Sequence, residues 1–94
     1  MHLEIRCIAL MARADRLKEE FRNCTGTFPY RRFVALLTAL GFASLKAGRT
    51  SGSRRKFEHS QTGKRIFLDE PHNGLMQPGM VRRVREDLIR GGFL

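Results

Sequence analysis

The chain has no tryptophan, a single tyrosine, and only nine Asp and Glu to set against eighteen Lys and Arg. Without tryptophan, a core has to be assembled from Leu, Val, Ile and the seven phenylalanines. Two cysteines, Cys7 and Cys24, have no spacing that suits a metal site. No cleavable secretory signal is read, so free thiols in a reducing cytoplasm are expected rather than a disulfide. The longest early apolar run, Cys7-Ile8-Ala9-Leu10-Met11-Ala12, follows Arg6 and faintly resembles a signal core. It is too short to span a bilayer, and Arg13, Asp15 and Arg16 come straight after it. No membrane association is expected. No internal repeat or low-complexity segment is present.

What remains is a basic chain of 94 residues, 41% apolar, enough for one small domain with a modest core. The formal charge is +9 and the sequence pI about 11.1. Such an excess in so small a chain favours a polyanionic partner over a merely solvated basic surface. An anionic membrane surface would attract the same charge.

Residues 1–10 read as an appendage. Leu3, Ile5 and Cys7 alternate with polar neighbours as in a short edge strand, or Met11 is a second translation start. From Ala12 to Arg22 the pattern is helical, with Ala14, Leu17 and Phe21 on one stripe and Arg16 and Glu20 as an opposite-charge pair. Asn23 to Thr27 breaks the helix, with Gly26 available for the turn. A second helix begins near Pro29 and carries Phe33, Val34, Leu36, Leu37 and Leu40 to Gly41. Three strands follow: Ala43 to Ala47, Ser53 to His59 and Lys64 to Asp69. Ser60-Gln61-Thr62-Gly63 closes the hairpin between the last two. Ile66 and Leu68 fall on one face of the third strand, Arg65 and Phe67 on the other. His72 to Gly79 reads as a loop. Pro78 opens a last helix with Val81, Val84 and Leu88 inward, and Gly91-Gly92 ends it before an apolar Phe93-Leu94 tail. The fold expected is α+β, with order α-β-β-β-α and an extra helix in front. This is the layout of a double-stranded-RNA-binding-like domain, drawn as an extension and helix over 1–26 and a domain over 27–94.

The most basic stretch lies at a glycine-serine corner. Arg49, Arg54, Arg55 and Lys56 fall within eight positions, with no acid nearer in sequence than Glu58. A cationic strand leaving a glycine turn suits a phosphate backbone. Gly52 and Ser53 form the corner, and Lys64 and Arg65 stand across the hairpin. All of these are expected to contact RNA. Arg82, Arg83, Arg85 and Arg90 have the plainer alternative of a solvated helix face with Glu86 and Asp87 as partners. Tyr30 could stack on a base, but packing at the start of the second helix accounts for it as well.

Several features occur in one order: Leu40-Gly41-Phe42, Gly52-Ser53 before a strand ending in Phe57 and His59, Gly63-Lys64-Arg65, Pro71-His72, and Leu75-Met76-Gln77-Pro78-Gly79. Val81-Arg82-Arg83-Val84 and the final Gly91-Gly92-Phe93-Leu94 follow. From about Tyr30 to Leu94 this sequence resembles the HicA family of bacterial toxins. The resemblance implies a double-stranded-RNA-binding-like fold and a metal-independent endoribonuclease acting on mRNA, neutralised by a HicB-like antitoxin. No cofactor is implied. The family's active histidine follows the Gly-Ser corner, and here Arg54 stands in that position.

That departure bears on the chemistry. Metal-free RNA cleavage needs a base to take the 2′-hydroxyl proton and a cation to stabilise the phosphorane. Arginine can bind the phosphate but stays protonated, so it supplies no base. Another histidine would have to act. His72, after the third strand, is the better candidate, because hairpin pairing brings the end of that strand beside Arg54. Its plainer alternative is a surface-loop histidine. His59 lies at the far end of a strand spanning roughly 20 Å, and reads as a sheet-edge residue. Arg54 and His72 are therefore the expected catalytic pair. A non-catalytic RNA-binding module that has lost the family's histidine is the alternative. A DNA-binding or membrane-surface protein comes last.

Overall fold

The structure, a computed structural model, describes residues 13–45 and 54–94. The leader 1–10, Cys7 and the expected contacts Arg49, Gly52 and Ser53 lie outside the described residues. The first helix, α1, is helical over residues 13–22. It is followed by β1 (Phe28–Pro29), α2 (Tyr30–Ala39), β2 (Phe42–Leu45), β3 (Arg54–His59), β4 (Arg65–Asp69), β5 (Leu75–Met76) and α3 (Pro78–Arg90). The chain is thus α+β, with helices and antiparallel sheets.

The main sheet has the order β2-β3-β4, both pairings antiparallel. Its alternation buries Phe42, Phe57, Ile66 and Leu68 on one face. Against that face lie Phe33, Leu36 and Leu37 of α2, and Val81, Val84 and Leu88 of α3. Leu17 and Phe21 of α1 join the same cluster, so residues before the 26/27 boundary share the core of those after it. The Phe21 ring meets Phe28 at 5.0 Å edge-on and Phe33 at 5.5 Å. The opposite face of the sheet carries Arg54, Lys56 and Glu58 of β3 beside Arg65, Phe67 and Asp69 of β4, all exposed or half-buried.

Several local expectations hold. Gly41 follows α2 at φ 99°, Gly63 turns the β3–β4 hairpin at φ 74°, and Pro78 is the first residue of α3. The C-terminal tail folds back, with Phe93 4.9 Å from Phe42 and 4.8 Å from His59.

Others need correction. Pro29 does not begin α2 but precedes it in extended conformation, because Phe28–Pro29 pairs with Leu75–Met76. The loop expected over 72–79 therefore contains a strand. Two residues are too few to show a period, so neither half of this small sheet stands out in sequence. Gly26 does not adopt a left-handed conformation at the end of α1. Instead, Arg85 of α3 donates to the carbonyls of Cys24 at 2.7 Å and Phe21 at 3.4 Å. A guanidinium there meets the carbonyls that a helix end leaves unpaired. The Arg16–Glu20 pair is also displaced, since Glu20 accepts from the guanidinium of Arg32 on α2. Arg32 donates through both Nε and Nη2 to the same Glu20 oxygen, a two-point contact between helices. His59 is not a sheet-edge residue, because β3 is the central strand and the ring is buried.

Candidate functional site

The described part of the basic corner is the first residue of β3. Register pairs Arg54 with Asp69 and Arg55 with Leu68. The start of β3 therefore lies against the end of β4 and the turn that follows. In sequence these cations have no acid nearer than Glu58, but in space that pairing brings two acids beside them. Arg54 Nε lies 3.7 Å from Asp69 Oδ1, and Arg55 Nε donates to Glu70 at 2.8 Å. Antiparallel pairing brings alongside the two acids that sequence distance had separated.

The two arginines point to different faces. Arg54 is on the open face with a side chain 64% exposed, and Asp69 is 65% exposed. A pair so wet and so long contributes about 1 kcal/mol at most. Arg55 is half-buried, and Glu70 beside it also faces Tyr30. Burial first, and then the Glu70 carboxylate, hold the Tyr30 phenol above its ordinary range, while Arg55 acts the other way. Tyr30 is thus a half-buried packing residue at the start of α2, 6.2 Å from the Phe33 ring.

The other expected contacts are dispersed along the hairpin. Lys56 holds its Nζ 5.8 Å from the centre of the Phe67 ring. Arg65 donates to Glu58 across the strands at 2.7 Å. Lys64 donates to Asp87 of α3 at 2.7 Å, which ties the hairpin turn to the last helix. Of the basic residues expected at the site, Lys56 forms no ion pair with the described residues.

His72 lies in the turn after β4, exposed to solvent. It lines an open hollow of about 490 Å³ together with Asp69, Glu70, Pro71, Asn73, Leu75, Gln77 and Met80. Arg54 lines a smaller hollow of about 180 Å³ with Phe67, Leu68, Asp69, Met80 and Arg83. Asp69 and Met80 border both. Arg54 and His72 thus line adjoining hollows that share Asp69 and Met80. A phosphate resting over Asp69 and Met80 could be approached by the guanidinium from one hollow and the imidazole from the other.

Comparison with family models, curated proteins and solved structures finds no match to this chain. Among the described residues no group of three His, Cys, Asp or Glu side chains is placed to hold a metal ion. No helix among them is long and apolar enough to cross a membrane.

His59 is committed elsewhere. Its Nδ1 accepts from the backbone N–H groups of Thr62 at 3.1 Å and Gln61 at 3.3 Å. Two backbone donors require a bare Nδ1, so the proton sits on Nε2, which donates to the Leu40 carbonyl at 2.9 Å. The ring ties the hairpin turn to the end of α2.

Sequence reasoning missed Asp69, Met80 and Arg83 as neighbours of Arg54. Asp69 was recoverable from the Gly63 turn, because counting back from the hairpin sets it opposite Arg54. Met80 and Arg83 depend on how α3 docks, which no local pattern carries.

Proposed function

We propose that this chain binds RNA at the Arg54 end of its hairpin and cleaves it without a metal, as a HicA-like toxin countered by a HicB-like antitoxin. Setting aside the two-residue strands β1 and β5, the succession α2-β2-β3-β4-α3 with α1 in front supports a double-stranded-RNA-binding-like layout. The observation that carries the reading is that Arg54 and His72 line adjoining hollows sharing Asp69 and Met80. In the proposed reaction the neutral His72 imidazole takes the 2′-hydroxyl proton. The 2′-oxygen bonds to phosphorus, the bond to the 5′-oxygen breaks, and that oxygen takes a proton from solvent. Arg54 binds the charged phosphoryl oxygens.

One observation favours a second reading, of an RNA-binding module without catalysis. The residue after Gly52-Ser53 is an arginine, which is no base, and His72 lines a different hollow. A labelled mRNA fragment incubated with the protein in EDTA separates the two. On the first reading the wild type cleaves it, and His72→Ala slows cleavage by about 10²–10⁴-fold while RNA affinity changes little. Full activity in both His72→Ala and Arg54→Ala removes the site. An inert wild type that binds RNA, with cleavage gained in Arg54→His, establishes the second reading instead.

A further inference from the structure

Among the described residues the open face of the main sheet carries two large apolar side chains that the core does not use, half-buried Leu45 of β2 opposite Lys56 and the more exposed Phe67 of β4. Phe67, in the middle of β4, is 49% exposed, whereas its neighbours Ile66 and Leu68 are buried. Cross-strand register sets Lys56 opposite it, with Nζ 5.8 Å from the ring centre. Two shallow hollows flank the ring, of about 180 Å³ toward Arg54 and about 230 Å³ toward Arg90. Phe67 and Arg83 line both. The ring therefore has Lys56 over it on the sheet, and Phe67 shares its two hollows with Arg83 and Arg90 of α3. None of these three cations forms an ion pair with the described residues. Of the acids nearby, Asp69 and Asp87 face Arg54 and Lys64. Glu86, which lines the hollow toward Arg90, forms no ion pair with the described residues and leaves the cations in excess there.

A half-exposed aromatic ring on a strand, with one cation over it and further cations in the adjoining hollows, has the parts of a single-strand platform. A base stacks on the ring face while the flanking phosphates meet the cations. The strand backbone fixes the ring, so little freedom is lost on binding. A duplex keeps its bases stacked on one another and offers the ring no free face. We infer that Phe67 is a base-stacking residue and that the open sheet face takes single-stranded RNA, with Lys56 and Arg83 on its phosphates. This rests on the reading of RNA as the ligand, and it extends the contact surface from the Arg54 corner along β4 and α3.

The test uses a short, unstructured, fluorescein-labelled 2′-O-methyl RNA strand, which has no 2′-hydroxyl to react, and the same strand annealed to its complement. Anisotropy gives the affinities. Phe67→Leu keeps an apolar side chain but loses the ring, and should weaken single-strand binding by about fivefold to a hundredfold. Duplex affinity and the salt dependence should stay the same. An equal loss on both probes, or no loss on the single strand, overturns the inference. Phe67→Trp supplies a second readout, since the chain has no tryptophan of its own. Its emission should be quenched in step with single-strand binding, and binding without quenching also overturns the platform. If the wild type binds neither probe, RNA itself is removed as the ligand. If it binds RNA regardless of residue 67, only the platform is removed.

Discussion

At one end of β3 the His59 ring is 8% exposed, both its nitrogens are matched, and two phenylalanine rings pack against it. At the other end, the Arg54 side chain is 64% exposed and, among the described residues, meets one carboxylate at 3.7 Å. The strand is the same, and so is its pairing with β4. The difference comes from what closes each end. The His59 end runs into a tight hairpin, the stop of α2 at Gly41 and the returning tail, three segments whose backbone groups need partners. The Arg54 end lies beside the β4–β5 turn, where the side chains are polar and face water. A histidine in a strand is thus a structural tie at one end, while the group with spare hydrogen-bonding capacity at the other is an arginine. Residue type alone would have suggested the reverse.

The comparison is broken most directly at the buried end. His59→Ala removes the ring from between Phe42 and Phe93 and leaves the Leu40 carbonyl and two N–H groups of the turn without it. A stability loss of about 3 kcal/mol is expected in urea denaturation. The RNA affinity of the folded fraction should be unchanged. A loss below about 1 kcal/mol would mean that the ring is not the tie it looks to be.

Gly41→Ala tests the same end from the helix side. Gly41 sits at φ 99°, and a Cβ there would come within 2.9 Å of His59 Nε2. The strained backbone and the displaced imidazole together should cost about 2 kcal/mol. Part of that cost belongs to the contact, so it should shrink when Gly41→Ala is made in a His59→Ala background. Strict additivity would show that backbone strain acts alone.

How much of this was legible in the sequence follows from how local each feature is. The α2 and α3 stripes, the Gly63 turn and the returning Phe93 tail depend on spacing within a few residues, and they stand where periodicity and turn chemistry put them. The β1–β5 pair joins two dipeptides far apart in the chain, each too short to show alternation. The acids facing Arg54 and Arg55 are remote in sequence and adjacent only through strand register. Arg85 read as one of four surface arginines, yet it closes the end of α1, a role set by how two helices meet. Alternation did put Phe67 opposite Ile66 and Leu68. Its proposed use depends on Arg83 and Arg90, which α3 brings to it from the far end of the chain.

The smallest effect, and the sharpest on the open end, concerns Asp69. Asp69 accepts no tight hydrogen bond from Arg54 and is 65% exposed, so Asp69→Asn should change stability by less than about 1 kcal/mol. Its effect on RNA should be larger in meaning than in size. A carboxylate bordering the hollows of both Arg54 and His72 repels a phosphate that Arg54 attracts, so its neutral isostere should raise RNA affinity by about two- to fivefold at low salt. Both charges are near water, so the gain should fade as salt is added, with a screening length of about 3 Å at 1 M. A gain that survives high salt would point to a new hydrogen bond rather than relieved repulsion. No gain at low salt would mean that phosphate does not approach Arg54 from the Asp69 side, and the open end of β3 would lose its claim to the RNA backbone.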